Sequence, residues 1–281
     1  MSILEQTPGL LDALRGEMTP KFLATRSAAG VPNVVPVISI QPADDHHTCP
    51  GGRCQGGDLG QPDTLFFGNF LLRKSIRNLE EDARVGILVV TPELRGWILK
   101  ADFVEFQRTG PYVDRQMSGS LLRYNAYTGI RNAGILRVLS VDSEFAISKM
   151  QVLKDYILAR LAAFGKQRAG NQSTTMPLAV RREFAKMVAV KVLAWVRDDG
   201  YPTIVPALSL QPAGDKALVC WRTSASLPQP PAGALVATNI LTFEAVSYQA
   251  KGQWDARGNA GAIQVCEVYV GGPPLPGGRV A

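Results

Sequence analysis

Histidine and cysteine are scarce in this chain. Its 281 residues include two histidines and four cysteines. So few cysteines in so long a chain do not make a disulfide scaffold, and a reducing cytoplasm is the simplest compartment. The two histidines, His46 and His47, are adjacent, which weakens any reading as a histidine-based hydrolase. No apolar run approaches the ~18 residues that span a bilayer, so no membrane partner is expected. Residues 1–18 carry acids early and lack a basic stretch followed by a long apolar one, so a secretory signal is not expected. The net charge is +6, but Lys and Arg are scattered through both halves without a dense tract, which speaks against nucleic acid as a partner. Charged residues make up 19% and apolar residues 46%, the balance of a globular chain.

What the chain does have is a segment written twice. GVPNVVPVISIQPA (30–43) returns as GYPTIVPALSLQPA (200–213), 170 residues later. Solenoid periods run from ~20 to ~50 residues, so this spacing implies a duplicated domain, and the length suffices for two domains. The organisation expected is a first domain over 1–150, a helical linker over 151–187 and a second domain over 188–281.

The first copy alternates short strands with few helices. Strands are expected over 21–26, 32–41, 64–69, 85–90 and 96–107, and helices over 8–18, 71–83, 110–122 and 151–164, the last with apolar positions at Val152, Ile157, Leu158 and Leu161. A further helix is expected over 176–187. Strands of the second copy are expected over 188–196, 203–210, 216–221, 234–240, 245–254 and 262–270. Closing such a sheet into a small barrel removes its open edges. The fold class expected is therefore mainly β, a barrel with peripheral helices, present twice.

The match extends past its core at a changed offset. Laying TLFFGN (64–69) over KALVCW (216–221) gives 152, and WILKA (97–101) over YQAKG (248–252) gives 151. An irregular 18-residue loop over 46–63, dense in Gly, Pro, Asp and Gln, accounts for the drop and exists only in the first copy.

The order LATRSAAGVPNVVPV, LFFGN, LLRKSIRNLEEDARVGILV, GWILKADFVEF resembles the pyridoxamine 5'-phosphate oxidase-like FMN-binding split barrels, well over residues 20–108 and more weakly in the second copy. That resemblance implies an FMN-dependent oxidoreductase acting on a small-molecule substrate. Its relatives dimerise with FMN at the interface, so the tandem chain implies a pseudo-dimer of two split β-barrels; further pairing of two chains is left open. The family's phosphate position carries over to Arg73 and Lys74, with Ser75 in the same first helical turn and Arg77 one turn on. Cations there complement the donors of a helix start, although Arg and Lys on a solvated helix face need no ligand. The flavin ring is expected along Val35, Pro36 and Val37 and near Phe67, Gly68 and Asn69. Gly68 and Asn69 depart from the Thr or Ser of many relatives, and the Asn69 amide is a candidate replacement for that hydroxyl.

At the 152 offset Arg73, Lys74 and Arg77 fall on Ala225, Ser226 and Gln229, in a proline-rich stretch unable to form a regular helix. The second copy is expected to lack the phosphate site. It would either lend a wall to the first copy's pocket, with Trp221 and Arg222 as candidates, or only bury surface. Two features stay open. HHTCPGGRC contains His46, His47, Cys49 and Cys54, ligand types that suit zinc, or iron in a reduced compartment; the alternatives are a Gly-rich loop with incidental ligands or a lid over the pocket. LLRYNAYTGIRNAGI (121–135) is either a substrate contact or a polar connection. Alternative functions are a non-catalytic flavin or haem binder, with His46 or His47 as axial ligand, and a metal-linked partner protein.

Overall fold

A computed structural model describes residues 2–43, 62–70, 72–119, 129–163, 174–222, 224, 226–271 and 277–281. Two antiparallel sheets follow one another along the chain. The first is built from β1 (Lys21–Arg26), β2 (Pro32–Pro36), β3 (Gln41–Pro42), β4 (Thr64–Gly68), β5 (Arg84–Val90), β6 (Arg95–Gln107), β7 (Ala133–Val141) and β8 (Phe145–Ala146). Its order is β2-β1-β5-β6-β7-β4-β3, with β8 beside β6. The second is built from β9 (Val190–Val196), β10 (Pro202–Pro206), β11 (Gln211–Pro212), β12 (Ala217–Trp221), β13 (Leu235–Leu241), β14 (Ser247–Arg257) and β15 (Ala260–Val270), in the order β10-β9-β13-β14-β15-β12-β11. The two orders are the same order. In each sheet the two outermost strands are consecutive in sequence, so a short connection ties one edge to the other and curls the sheet into an incompletely closed barrel.

That connection splits the strand expected over 32–41 into β2 and β3. Val37 N–H donates to Lys21 and Ile40 N–H to Val37, turning the chain from one sheet edge to the other. Strands β7 and β8 are not among the expected elements, because β7 begins inside the polar stretch 121–135. The helices are α1 (Pro8–Arg15), α2 (Arg73–Glu81), α3 (Pro111–Ser118), α4 (Lys149–Ala163) and α5 (Leu178–Phe184), each close to its expected span.

Strand registers align the two copies without reference to residue identity. Gln41 pairs with Phe66, and its counterpart Gln211 with Val219. The offset at β4 is therefore 219 − 66 = 153, one more than the expected 152. Arg73, Lys74 and Arg77 then correspond to Ser226, Leu227 and Pro230. At β5–β6 the offset is 151, because Leu23 pairs with Ile87, Leu193 with Thr238, Ile87 with Leu99 and Thr238 with Ala250.

The copies pack reciprocally. Strand β2 lies on β13, and β10 lies on β5, as an internal two-fold requires. At Gly86 of β5 an added Cβ would sit 2.3 Å from the Pro202 carbonyl oxygen of β10, so only glycine permits this backbone approach. One apolar cluster fills the first barrel, with Leu23, Leu65, Phe67, Ile87, Leu99 and Leu136. A second fills the other barrel and continues across the interface into Phe22, Val34, Leu88, Ile98, Phe145 and Ile147 of the first copy.

Both copies bury a lysine at one corresponding position, Lys21 and Lys191. Lys21 Nζ donates to the Gly16 and Ile38 carbonyls, and Lys191 Nζ to the Leu210 carbonyl at 2.7 Å. Each therefore pins the connection between the outermost strands of its own barrel. Burial pulls the Lys191 pKa from 10.5 to about 7 and, against a smaller opposing pull from Glu17, that of Lys21 to about 8. Between pH 7 and 10.5 the unfolded chain holds a proton at residue 191 that the folded chain has released, so stability rises with pH across that window. Lys191→Met is expected to stabilise the protein by about 1–3 kcal/mol at pH 6, the relief of a buried charge less one lost hydrogen bond. The gain should vanish by pH 10. Urea melts over that range check this, and parallel pH profiles for parent and variant would contradict it.

Candidate functional site

Helix α2 opens on the seam between the copies. Leu72 stands at its N-cap without a side-chain cap, and the first helical hydrogen bond runs from Ile76 N–H to the Leu72 carbonyl. The N–H groups of Arg73, Lys74 and Ser75 therefore project from the helix start. The first turn contains no acid and the last turn no base, while Glu80 and Glu81 stand at its end. This order opposes the helix dipole, at about 0.3–1 kcal/mol per charge. A bound anion at the N-terminus would reverse that sign.

The cavity in front of α2 has a volume of about 300 Å³, at the lower end of the ~300–1,000 Å³ typical of ligand sites. The first copy contributes Asn33, Val35, Pro36, Val37, Ile38, Ser39, Gly68, Phe70, Leu72, Arg73, Lys74 and Ser75. The second contributes Asn239, Leu241, Ala245, Ser247, Gln249, Tyr269, Val270, Gly271 and Gly277. Of the residues expected from the sequence, Val35, Pro36, Val37, Gly68, Arg73, Lys74 and Ser75 thus line one space. Phe67 does not: it is wholly buried and packs edge-on against Phe106 in the first barrel. Asn69 is also buried away from the cavity, where its Oδ1 accepts from Leu72 N–H and steers the chain into α2. Arg77 is exposed and outside the lining.

Beside Gly68 the cavity lining carries the hydroxyl of Ser39. Its Oγ accepts from Gly68 N–H at 3.2 Å, and its backbone carbonyl accepts from the buried Gln116 amide. Asn33, which no sequence pattern singles out, is the other notable polar group. It is buried, donates from Nδ2 to Ser75 Oγ at 3.1 Å, and leaves Oδ1 without a partner. An orphaned buried acceptor beside a helix N-terminus is suited to a ligand that carries a hydroxyl donor next to its anionic group. The ribityl phosphate of FMN has that donor–anion order, so the residues present fit the group.

Lys74 reaches across the seam. Its Nζ lies 3.2 Å from the centroid of the Tyr269 ring, a cation–π contact. Burial lowers the Lys74 pKa, with Glu267 pulling the other way. Burial, followed by the hydrogen bond donated to Glu267, pushes the Tyr269 phenol up to about 12.

The second copy's wall comes from β13, β14 and the end of β15. Trp221 and Arg222, the candidates read from the sequence, instead border a separate space of about 30 Å³ with Val205, Pro206, Ala207 and Leu227. Its Val205, Pro206, Ala207, Trp221 and Leu227 hold the places of Val35, Pro36, Val37, Gly68 and Lys74, so it is what remains of the second copy's half of the corresponding site; no described first-copy residue borders it, and it has about the room of a single water. Corresponding positions show how it closed. Where the open cavity has Asn239, Ser247 and Gln249, the closed side has Leu88, Gly96 and Ile98; where it has Ala245, the closed side has Leu94. Leu88 and Ile98 belong to the shared core, and Leu94 packs against it. Lys74 is matched by the buried Leu227.

His46, His47, Cys49 and Cys54 lie outside the described residues, as do 121–128 of the Tyr/Arg-rich stretch. Among the described residues no cluster of three or more His, Cys, Asp or Glu side chains could hold a metal. Cys220 is buried, and that burial pushes its thiol up to about 12.

No family model matches the chain, and no curated protein matches it. Solved structures do. The HupZ protein of Group A Streptococcus is 20% identical with a TM-score of 0.35, over 51% of this chain and 94% of that one. An FMN-binding protein from Syntrophomonas wolfei is 13% identical with a TM-score of 0.38, over 52% and 92%. A putative pyridoxamine 5'-phosphate oxidase from Lactobacillus delbrueckii is 18% identical with a TM-score of 0.33, over 50% and 93%. What this chain is similar to is a set of proteins that includes FMN-binding and pyridoxamine 5'-phosphate oxidase-type members, each matching about half of it.

Proposed function

We propose that the protein is an FMN-dependent oxidoreductase of the pyridoxamine 5'-phosphate oxidase-like kind, with one cofactor site per chain at the seam of its two barrels. The observation that carries this is α2, whose cation-bearing, uncapped start opens on the cavity beside the orphaned Asn33 acceptor. In this reading Arg73, Lys74 and the first-turn N–H groups hold the phosphate. Asn33 and Ser75 receive the polyol. The Val35–Val37 stretch and Ser39 border the ring on one side, and Asn239, Ser247 and Gln249 offer hydrogen bonds from the other.

The flavin, when bound, supplies the hydride chemistry, and the protein supplies binding and orientation. That division suits this cavity, whose described lining includes Arg73, Lys74 and Tyr269 but no carboxylate, histidine or thiol, because no lining side chain is then asked to act as acid, base or nucleophile. The substrate is a small molecule that enters beside the ring.

Reconstitution tests the reading. Protein stripped of small molecules and titrated with FMN should take up one equivalent per chain, and riboflavin should bind at least about 30-fold more weakly for want of the phosphate. A protein that binds neither, or one that instead develops a haem Soret band, overturns it.

A further inference from the structure

Helix α4 wears four large apolar residues on the outside, while Val152 packs inward against the core. Met150, Leu153, Ile157 and Leu161 recur at spacings of three and four residues, which aligns them along one face, and all four are exposed, Met150 by 74% and Leu161 by 62%. The inward face carries Ala159 and the helix's only acid, Asp155, which is 1% exposed and bonded to Gln151. The exposed ionisable side chains of the helix are therefore all cationic: Lys149, Lys154 and Arg160. Lys154 and Arg160 border the stripe on opposite sides at 100° per residue.

The surface continues from there. Tyr156 donates to the Ala185 carbonyl, and Lys186 reaches Glu244 across 3.6 Å. Exposed Val188 follows closely, and beside Glu244 stands Phe243, at 83% the most exposed large apolar side chain among the described residues. Phe243 sits in the turn between Leu241 and Ala245, both of which line the cavity. Exposed apolar groups thus lead from α4 toward the cavity's rim. A run of this kind marks an interaction surface.

We infer that this surface docks the protein on an anionic lipid bilayer. A second copy of the chain is a poor occupant, because pairing α4 with itself sets Lys154 and Arg160 against like charges on a chain already at +6. A bilayer needs no complementary groove: its acyl boundary takes exposed Met, Leu and Ile side chains, and its acidic headgroups attract nearby lysines, here Lys149 and Lys154. The lack of a spanning segment does not bear on such peripheral contact.

The test is co-sedimentation of the full-length protein with phosphatidylcholine vesicles, with and without phosphatidylglycerol. Binding is expected only with phosphatidylglycerol and should weaken as salt rises. Met150→Gln/Ile157→Gln should cut the bound fraction about tenfold without changing the melting temperature, since both side chains are exposed. Lys149→Gln/Lys154→Gln should abolish the preference for phosphatidylglycerol. No binding to anionic vesicles, or binding that neither variant alters, overturns the inference. So does a dimer in sedimentation velocity that Met150→Gln/Ile157→Gln splits, which would assign the stripe to a contact between copies.

Discussion

Replacing Arg73 and Lys74 together by alanine is expected to weaken FMN binding at least about 100-fold while leaving riboflavin binding within about twofold of the parent. Each charge-assisted hydrogen bond to a phosphate contributes about 1.5–3 kcal/mol, so losing two removes about 3–6 kcal/mol, which exceeds the factor stated. Riboflavin lacks the phosphate and serves as the internal control: a general disturbance of the seam would weaken both ligands. The protein's own stability gives a second readout. Arg73 and Lys74 stand at the positive end of α2 with no acid in that turn, so removing them relieves an unfavourable arrangement by a few tenths of a kcal/mol each. Against this, Lys74 loses its contact with the Tyr269 ring, at about 0.5–1 kcal/mol. The ligand-free double variant should melt within about 2 °C of the parent. Isothermal titration with both ligands decides the matter, and equal loss of FMN and riboflavin affinity would show that the phosphate sits elsewhere.

Much of this site is legible in the sequence because it lies in one continuous stretch. Strand, turn and helix patterns put Val35–Val37, Gly68 and Arg73–Ser75 on neighbouring elements, and the duplication implies a seam for them to face. The residues that escape do so for identifiable reasons. Asn33 sits inside the repeated motif at the place of Thr203, and an Asn-for-Thr exchange looks neutral until the partner at Ser75 is known. Phe67 and Gly68 are adjacent, but successive strand residues point to opposite faces, and only the paired register decides which one meets the core. The slip from 153 to 152 arises because the inserted loop hides the alignment between two well-matched segments. Helix α4 misleads in another way: Ile157 and Leu161 mark it as a helix, but packing buries Asp155 and Ala159 instead.

The second copy's wall is hidden for a deeper reason. Trp221 and Arg222 stand out for their chemistry, yet the two-fold turns them into their own copy's closed site and brings β13 and β14 to the open one. The signal is present all the same. In strands laid out at the 151 offset, Leu88 becomes Asn239 and Ile98 becomes Gln249, a change from apolar to polar at buried positions. Buried polar groups are costly unless satisfied, and here each has a partner in the protein. Gln249 donates to the Val34 carbonyl at 2.7 Å, and Asn239 and Ser247 bond to each other. Reading the copies against each other, with the register in hand, turns those exchanges into a pointer to the ligand.

That asymmetry makes a sharp prediction, because the closed site is a worked example of how to shut the open one. Ala245 and Leu94 occupy corresponding turns and share the left-handed backbone, at φ +59° and +63°. A leucine is therefore tolerated in this conformation, as Leu94 demonstrates. Ala245→Leu should introduce no new backbone strain and should project into space the ligand needs. Overpacking of this kind costs about 1–3 kcal/mol, or roughly 5–150-fold in the Kd for FMN. Melting should be unchanged or slightly raised, since the variant fills a void. The reciprocal change, Leu94→Ala, removes an anchor of the shared core. It should destabilise the protein by about 2 kcal/mol, the low end for a leucine truncation at a partly buried position, and create no second FMN site, because Leu227 stands where Lys74 would be needed. If Ala245→Leu binds FMN as the parent does, the ligand does not occupy this side of the cavity. If Leu94→Ala gains a second equivalent of FMN, the loss of α2's counterpart is not what silenced the second copy.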